Sequence, residues 1–156
     1  MTPPLSLSPA RRAFLGSARR AVLATIAPDG RPRLVPICFV LADDAPILYS
    51  PLDDKPKRVA DPRALARVRD IGRDPRVTVL VDRWDEDWTR LAWLRCDGRA
   101  GLLEPTRPAS SAAERGEVIA ALRAKYPPYA DHALETRPLL RIRLDRMSSW
   151  GLLEPG

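Results

Sequence analysis

The chain has 156 residues, 45% hydrophobic and 29% charged, which is the composition of one soluble globular domain with a proper core. Its longest apolar stretch, Leu34 to Ala42, is interrupted by Pro36 and falls far short of the roughly 20 residues that span a bilayer. A formal charge of +6 favours an anionic partner, but arginine is interleaved with acid through most of the chain, so charge alone names no ligand.

The elements follow in order. Residues 1–7 read as a loose tail. Arg11, Arg12, Arg19 and Arg20 interrupt the N-terminal segment, so it does not read as a signal peptide and the chain is expected to be cytoplasmic. Ser8-Pro9 pairs a hydroxyl cap with a proline at the first helical position and predicts a helix to about Ala18, with Phe14, Leu15 and Ala18 inward. Ala21–Ala27 predicts a strand, Pro28-Asp29-Gly30 a turn, and Arg31–Leu41 the return strand. Asp43 to Pro46 turns the chain again into a strand from Ile47 to Ser50, so three strands form a meander.

Directly after that third strand comes Asp53-Asp54-Lys55-Pro56-Lys57-Arg58. The whole chain holds three lysines against 23 arginines, and two of the three sit here. Compact ammonium charges, the Arg58 fork and the Ser50 hydroxyl together suit a phosphate pocket. The alternative is a solvated charged loop.

Asp61-Pro62 repeats the cap-and-proline device, and Leu65, Val68 and Ile71 recur at helical spacing up to Gly72. Val77, Val79 and Val81 alternate with Thr78, Leu80 and Asp82 in a strand. The acidic, aromatic run Trp84 to Trp88 is a loop, and a long strand follows from about Thr89 to Glu104, with Gly98 and Gly101 marking a bulge or bend. A helix is predicted for Ala109–Lys125, ended by Tyr126-Pro127-Pro128-Tyr129, and a last strand for Leu139–Met147. The fold class is mainly β with helices: an antiparallel barrel of about six strands with helices outside, because closure removes exposed edges.

Side-chain catalysis finds little material. His132 is the only histidine, and Cys38 and Cys96, too far apart for zinc spacing, read as buried free thiols, with a single disulfide between them the alternative. There is no nucleophile elbow, P-loop or dinucleotide fingerprint. The Asp85-Glu86-Asp87 run reads as a solvated loop rather than a metal site. The same acids beside the tryptophans disfavour nucleic acid. An enzyme without its own acid, base or nucleophile works through a cofactor.

Ala21-Val22-Leu23-Ala24-Thr25-Ile26 with Asp29-Gly30-Arg31-Pro32, Val35-Pro36-Ile37-Cys38-Phe39, Ile47 to Arg58, Asp74-Pro75-Arg76-Val77 to Trp84, Asp87-Trp88 and Gly98-Arg99-Ala100 together resemble the flavin/deazaflavin split-barrel proteins. That is the superfamily of pyridoxamine 5'-phosphate oxidase, and within it the chain is similar to the actinobacterial oxidoreductases dependent on coenzyme F-420. The resemblance implies a split-barrel homodimer with two cofactor sites at the interface and hydride transfer with a small unsaturated or conjugated substrate. It assigns Ser50, Lys55, Lys57 and Arg58 to the cofactor's phosphate, Val35 and Pro36 to the ring edge, and Trp84 and Trp88 to a wall contributed by the partner subunit. F-420, with a phosphodiester and several carboxylates in its tail, suits a basic chain better than FMN, the alternative cofactor. A non-catalytic carrier of either cofactor is the other reading. Asp70 departs from the asparagine common near that position in the family and is given no binding role.

Overall fold

In the computed structural model, which describes residues 3–52, 60–106 and 109–154, seven strands form one antiparallel sheet in the order β2-β1-β5-β6-β7-β4-β3. They are β1 (Ala21–Ile26), β2 (Pro32–Ile37), β3 (Val40–Leu41), β4 (Ile47–Pro51), β5 (Arg76–Arg83), β6 (Ala92–Leu103) and β7 (Leu139–Gly151). Three helices accompany them: α1 (Pro9–Ser17), α2 (Ala66–Arg73) and α3 (Ala112–Lys125). None is long and apolar enough to cross a membrane.

Seven strands replace the expected six because the segment Arg31–Leu41 is one strand broken by a bend. Its first half, β2, pairs with β1, and its second half, β3, pairs with β4. These halves are the two outer members of the sheet order, yet only Cys38 and Phe39 separate them. So short a connection forces the sheet to curl until its edges meet, which makes the split barrel. The bend removes Phe39 from the ladder, and side chains supply the missing partners. The Tyr126 hydroxyl accepts from the Phe39 amide at 3.1 Å, and the Lys125 ammonium donates to the Phe39 carbonyl at 3.0 Å.

Local chemistry accounts for the boundaries. The Ser8 hydroxyl accepts from the Arg11 amide at the start of α1. Gly30, with φ of 85°, closes the β1–β2 turn in a conformation that side-chain-bearing residues disfavour. The helix expected from Asp61 is split: Pro62–Ala64 forms a 3-10 turn, Leu65 is extended, and α2 begins at Ala66. β6 begins at Ala92 rather than Thr89, because Trp88–Arg90 forms a 3-10 turn capped by Asp87. The last strand runs four residues beyond Met147 to Gly151. Leu5 and Leu7, in the segment expected to be loose, pack half-buried against the core.

The core has two parts. Inside the barrel, Leu23, Val79, Leu94, Leu140 and Ile142 meet Phe14 and Leu15 of α1 and Val68 and Ile71 of α2. Outside it, Val118, Ile119 and Leu122 of α3 pack on Val40, Tyr49 and Leu139, so α3 covers the sheet where β3 and β4 lie. Each fully buried leucine or valine here contributes about 1.5–3 kcal/mol. Arg115, buried, ties α3 down by donating to the carbonyls of Leu103 (2.8 Å), Leu134 (3.3 Å), Glu135 (3.3 Å) and Arg137 (3.0 Å). Among the described residues, α1 and α2 pack in the inner cluster and α3 packs on β3 and β4, so none of these helices covers the outer side of β2, β1, β5 and the first half of β6.

Candidate functional site

That uncovered face follows from register. Residues directly opposed in a ladder share a face, and neighbours along a strand alternate. Leu23, opposite Val35 and Val79, points inward, so Val22, opposite Pro36 and Leu80, points outward. Ala24 joins it, opposite Leu34 and Thr78. β6 adds Arg95 opposite Leu80 and Trp93 opposite Asp82. The outer face is therefore apolar where water should meet polar side chains: Leu34 is 65% exposed and Leu80 38%. Between them lies a concavity of about 480 Å³, walled by Val22, Leu34, Leu80 and Trp93 and edged by Asp82 and Arg95. The Arg95 guanidinium sits 5.5 Å from the centre of the Trp93 ring. An apolar floor, one indole and one cation can hold a flat molecule with an electron-rich edge.

Of the residues assigned from sequence, the structure brings Pro36 to this face, exposed beside Val22. Val35 alternates inward and packs half-buried against the core, so the two side chains point to opposite sides of the sheet. Ser50 lies on the same strand face as Leu48, a residue of the barrel interior, and is 2% exposed; its hydroxyl is enclosed rather than presented. Trp84 and Trp88 follow β5 on the surface, 66% and 70% exposed. Their acidic neighbours shape the loop: Asp85 accepts from the Asp87 amide at 2.8 Å, and Asp87 accepts from the Thr89 amide and hydroxyl. Lys55, Lys57 and Arg58 lie outside the described residues. Sequence reading missed Val22, Leu34, Leu80, Trp93 and Arg95. The available signal was that β1 and β2 are apolar at positions facing both ways and that Leu80 interrupts the polar outer row of β5.

Asp70 has a structural role. It is 2% exposed on α2, and its carboxylate accepts from the Thr25 hydroxyl (2.8 Å), Arg33 (2.7 Å) and Arg73 (3.3 Å). Burial alone would push the carboxyl up, but these donors outweigh it and hold the group below the usual carboxylate range. Arg73 also donates to the Ile26 carbonyl at 2.5 Å. The helix that begins shortly after the lysine motif is thereby locked to the end of the β1–β2 hairpin.

Two further polar clusters flank the barrel. At the bulge where Gly98 meets Leu144, a concavity of about 550 Å³ is lined by Arg76, Arg99 and Arg146 against Asp97 and Asp145. Arg146 and Thr78 both bond Asp97, and Arg76 bonds Asp74 through two nitrogens, so most of this charge is internally matched. Under α3, the Tyr49 hydroxyl donates to Glu114, which also accepts from Arg141 at 2.7 Å. Burial and the Glu114 bond push the phenol up to about 12, so Tyr49 is a weak proton donor for any reaction. The Cys96 thiol, buried in the barrel, is likewise pushed up to about 12, mainly by burial, and is inert. Among the described residues no group of His, Cys, Asp and Glu is arranged to hold a metal ion.

The fold is shared with several solved structures. A conserved hypothetical protein, Rv2991, from Mycobacterium tuberculosis superposes with a TM-score of 0.70 at 23% identity, covering 96% of this chain and 90% of that one. HutZ, the haem storage protein of Vibrio cholerae, gives 0.63 at 16% identity, over 94% and 95% of the two chains. An FAD-binding protein from Mesorhizobium loti gives 0.61 at 22% identity, over 88% and 87%. No curated protein sequence matches the chain. The pyridoxamine 5'-phosphate oxidase family model matches residues 7–151, nearly the whole length, and the chain belongs to that family.

Proposed function

We propose that the chain is an oxidoreductase that holds the deazaflavin coenzyme F-420 against the uncovered sheet face and moves a hydride to or from a small unsaturated or conjugated substrate. The observation that carries this reading is the outer concavity of Val22, Leu34, Leu80 and Trp93, apolar and edged by Arg95 and Asp82, where the described residues offer no acid–base or nucleophile constellation. When bound, the cofactor supplies the hydride-carrying ring carbon. The protein's part is to orient, to stack and to exclude water. Pro36 and Leu34 would edge the ring and Trp93 would wall it. Lys55, Lys57 and Arg58 would take the phosphate, and Ser50, enclosed, is left out of that seat.

A homodimer belongs to the same proposal, because a second copy on this face would bury its leucines and bring its own Trp84 and Trp88 to the rim. Leu34→Glu is expected to weaken self-association at least about 100-fold, roughly 3 kcal/mol. Analytical ultracentrifugation checks this; a variant that dimerises like wild type contradicts the interface.

FMN is the second reading, supported by a structural neighbour described as FAD-binding. Loss of cofactor affinity in Lys57→Ala/Arg58→Ala by about 100-fold, read from tryptophan quenching, tests the phosphate seat for either cofactor. Stopped-flow oxidation of reduced F-420 against a panel of enones and quinones tests the enzyme against a non-catalytic carrier. Turnover with at least one acceptor is expected, and its complete absence favours the carrier.

A further inference from the structure

The uncovered face does not end at its apolar concavity. Ala24 and Thr78 line that concavity and also the one of about 550 Å³ beside the bulge, so the two share a wall. Register sets a row of cations across the far side of the second: Arg76 on β5 is directly opposite Arg99 on β6, which is opposite Arg143 on β7. Like charges directly opposite one another in a ladder repel. Neighbouring acids relieve this unevenly. Arg76 takes both carboxylate oxygens of Asp74, at 3.0 and 2.7 Å. Arg146 holds one oxygen of Asp97, whose other oxygen accepts from the Thr78 hydroxyl. Among the described residues Asp145, Arg99 and Arg143, all exposed, form no ion pair. Of the two unpaired arginines, Arg99 lines the concavity.

We propose that Arg99 seats the carboxylate of a compact conjugated monoacid, bound in the second concavity with its unsaturated end against Ala24 and Thr78. The guanidinium fork can donate two parallel bonds to a carboxylate and relieves its repulsion with Arg76 and Arg143 by doing so. The charge count favours a monoanion. With Asp74 and Arg143 included, four arginines stand against three aspartates, an excess of one positive charge. One carboxylate matches it, whereas a phosphate dianion would face Asp97 and Asp145 uncompensated. Spacing sets the size. Thr78 and Arg76 are two residues apart on β5, as are Asp97 and Arg99 on β6, so about 7 Å separates the shared wall from the cation row. An acid of that length brings its unsaturated end to the wall of the ring's concavity, which makes it the substrate. That role rests on the function proposed above; the carboxylate seat does not.

The test is equilibrium dialysis of the native full chain, at low salt and neutral pH, against trans-cinnamate and its neutral ester, methyl trans-cinnamate. The acid is expected to bind at least about ten-fold tighter than the ester, and the gap should narrow in about 0.5 M salt, where screening is strong. Arg99→Gln, an exposed substitution whose folding thermal melting checks, should close the gap by weakening the acid alone. Arg99→Lys should restore part of it, supplying the charge without the fork. The F-420 titration separates this seat from the cofactor site: Arg99→Gln should leave F-420 affinity within about two-fold. If neither cofactor binds but the acid keeps its Arg99-dependent preference, the seat stands and the function above fails. Equal binding of acid and ester overturns the seat even where F-420 binds. So does an acid preference that survives Arg99→Gln, or a loss of F-420 affinity in that variant, which would assign the guanidinium to the cofactor's tail.

Discussion

Gly98→Ala is expected to destabilise the fold by at least about 3 kcal/mol, lowering the melting temperature by roughly 6–12 °C in a domain of this size. The added Cβ would lie 2.2 Å from the Arg143 carbonyl oxygen, 3.0 Å from its carbon and 3.1 Å from the Leu144 Cα. All three are backbone atoms of β7, so no side chain can swing aside. The contact sits where Asp97 pairs with Arg146 and Gly98 with Leu144, leaving Asp145 as the extra residue of a bulge. Relief requires the β6–β7 ladder to part inside the barrel wall. Gly101→Ala, three residues on, meets nothing within 4 Å and is expected to change stability by less than about 0.5 kcal/mol. Urea denaturation of the two variants checks the contrast. Similar small effects in both would contradict the register at the bulge.

Asp70→Ala is the second large effect, at about 2–3 kcal/mol, from the loss of charge-assisted bonds and a buried Thr25 hydroxyl left unpaired. Arg33 and Arg73 are partly exposed and regain water, which keeps the cost below that of an orphaned charge in a dry core. The pH dependence has a definite sign. A carboxyl lowered by folding adds stability that is present above its unfolded value of about 3.9 and is lost as pH falls through the lower folded value. Wild type should therefore lose stability below about pH 4 more steeply than Asp70→Ala, a difference that thermal melts between pH 3 and 7 measure. Parallel acid limbs would contradict the network.

Much of the fold was legible in local chemistry. Ser8-Pro9 marked the start of α1, the valines of β5 marked an inner face, and glycines in β6 marked a bulge. Which glycine made the bulge was not legible, because the answer depends on Arg143, 45 positions further along the chain. The bend at Cys38–Phe39 was hidden for the same reason: its partners, Lys125 and Tyr126, lie 86 and 87 residues away. Asp70 read as an acid out of place until Thr25, Arg33 and Arg73 surrounded it. Among the site residues, Pro36 reached the uncovered face while Val35, its neighbour, turned away, as strand alternation requires. Leu34 and Leu80 lie on the outer side of their strands, and the reading of the sequence passed over both. Trp93 and Arg95 became interpretable only when register set them beside Leu80 and Asp82.

The most direct test is an equilibrium titration of coenzyme F-420, with FMN in parallel, into the purified protein while tryptophan fluorescence is followed. The proposed site predicts saturable binding of F-420 at micromolar concentration, one per subunit, tighter than FMN and lost together with dimerisation in Leu34→Glu. If neither cofactor quenches the fluorescence, or if binding survives in a monomeric Leu34→Glu, the uncovered sheet face is not the cofactor site.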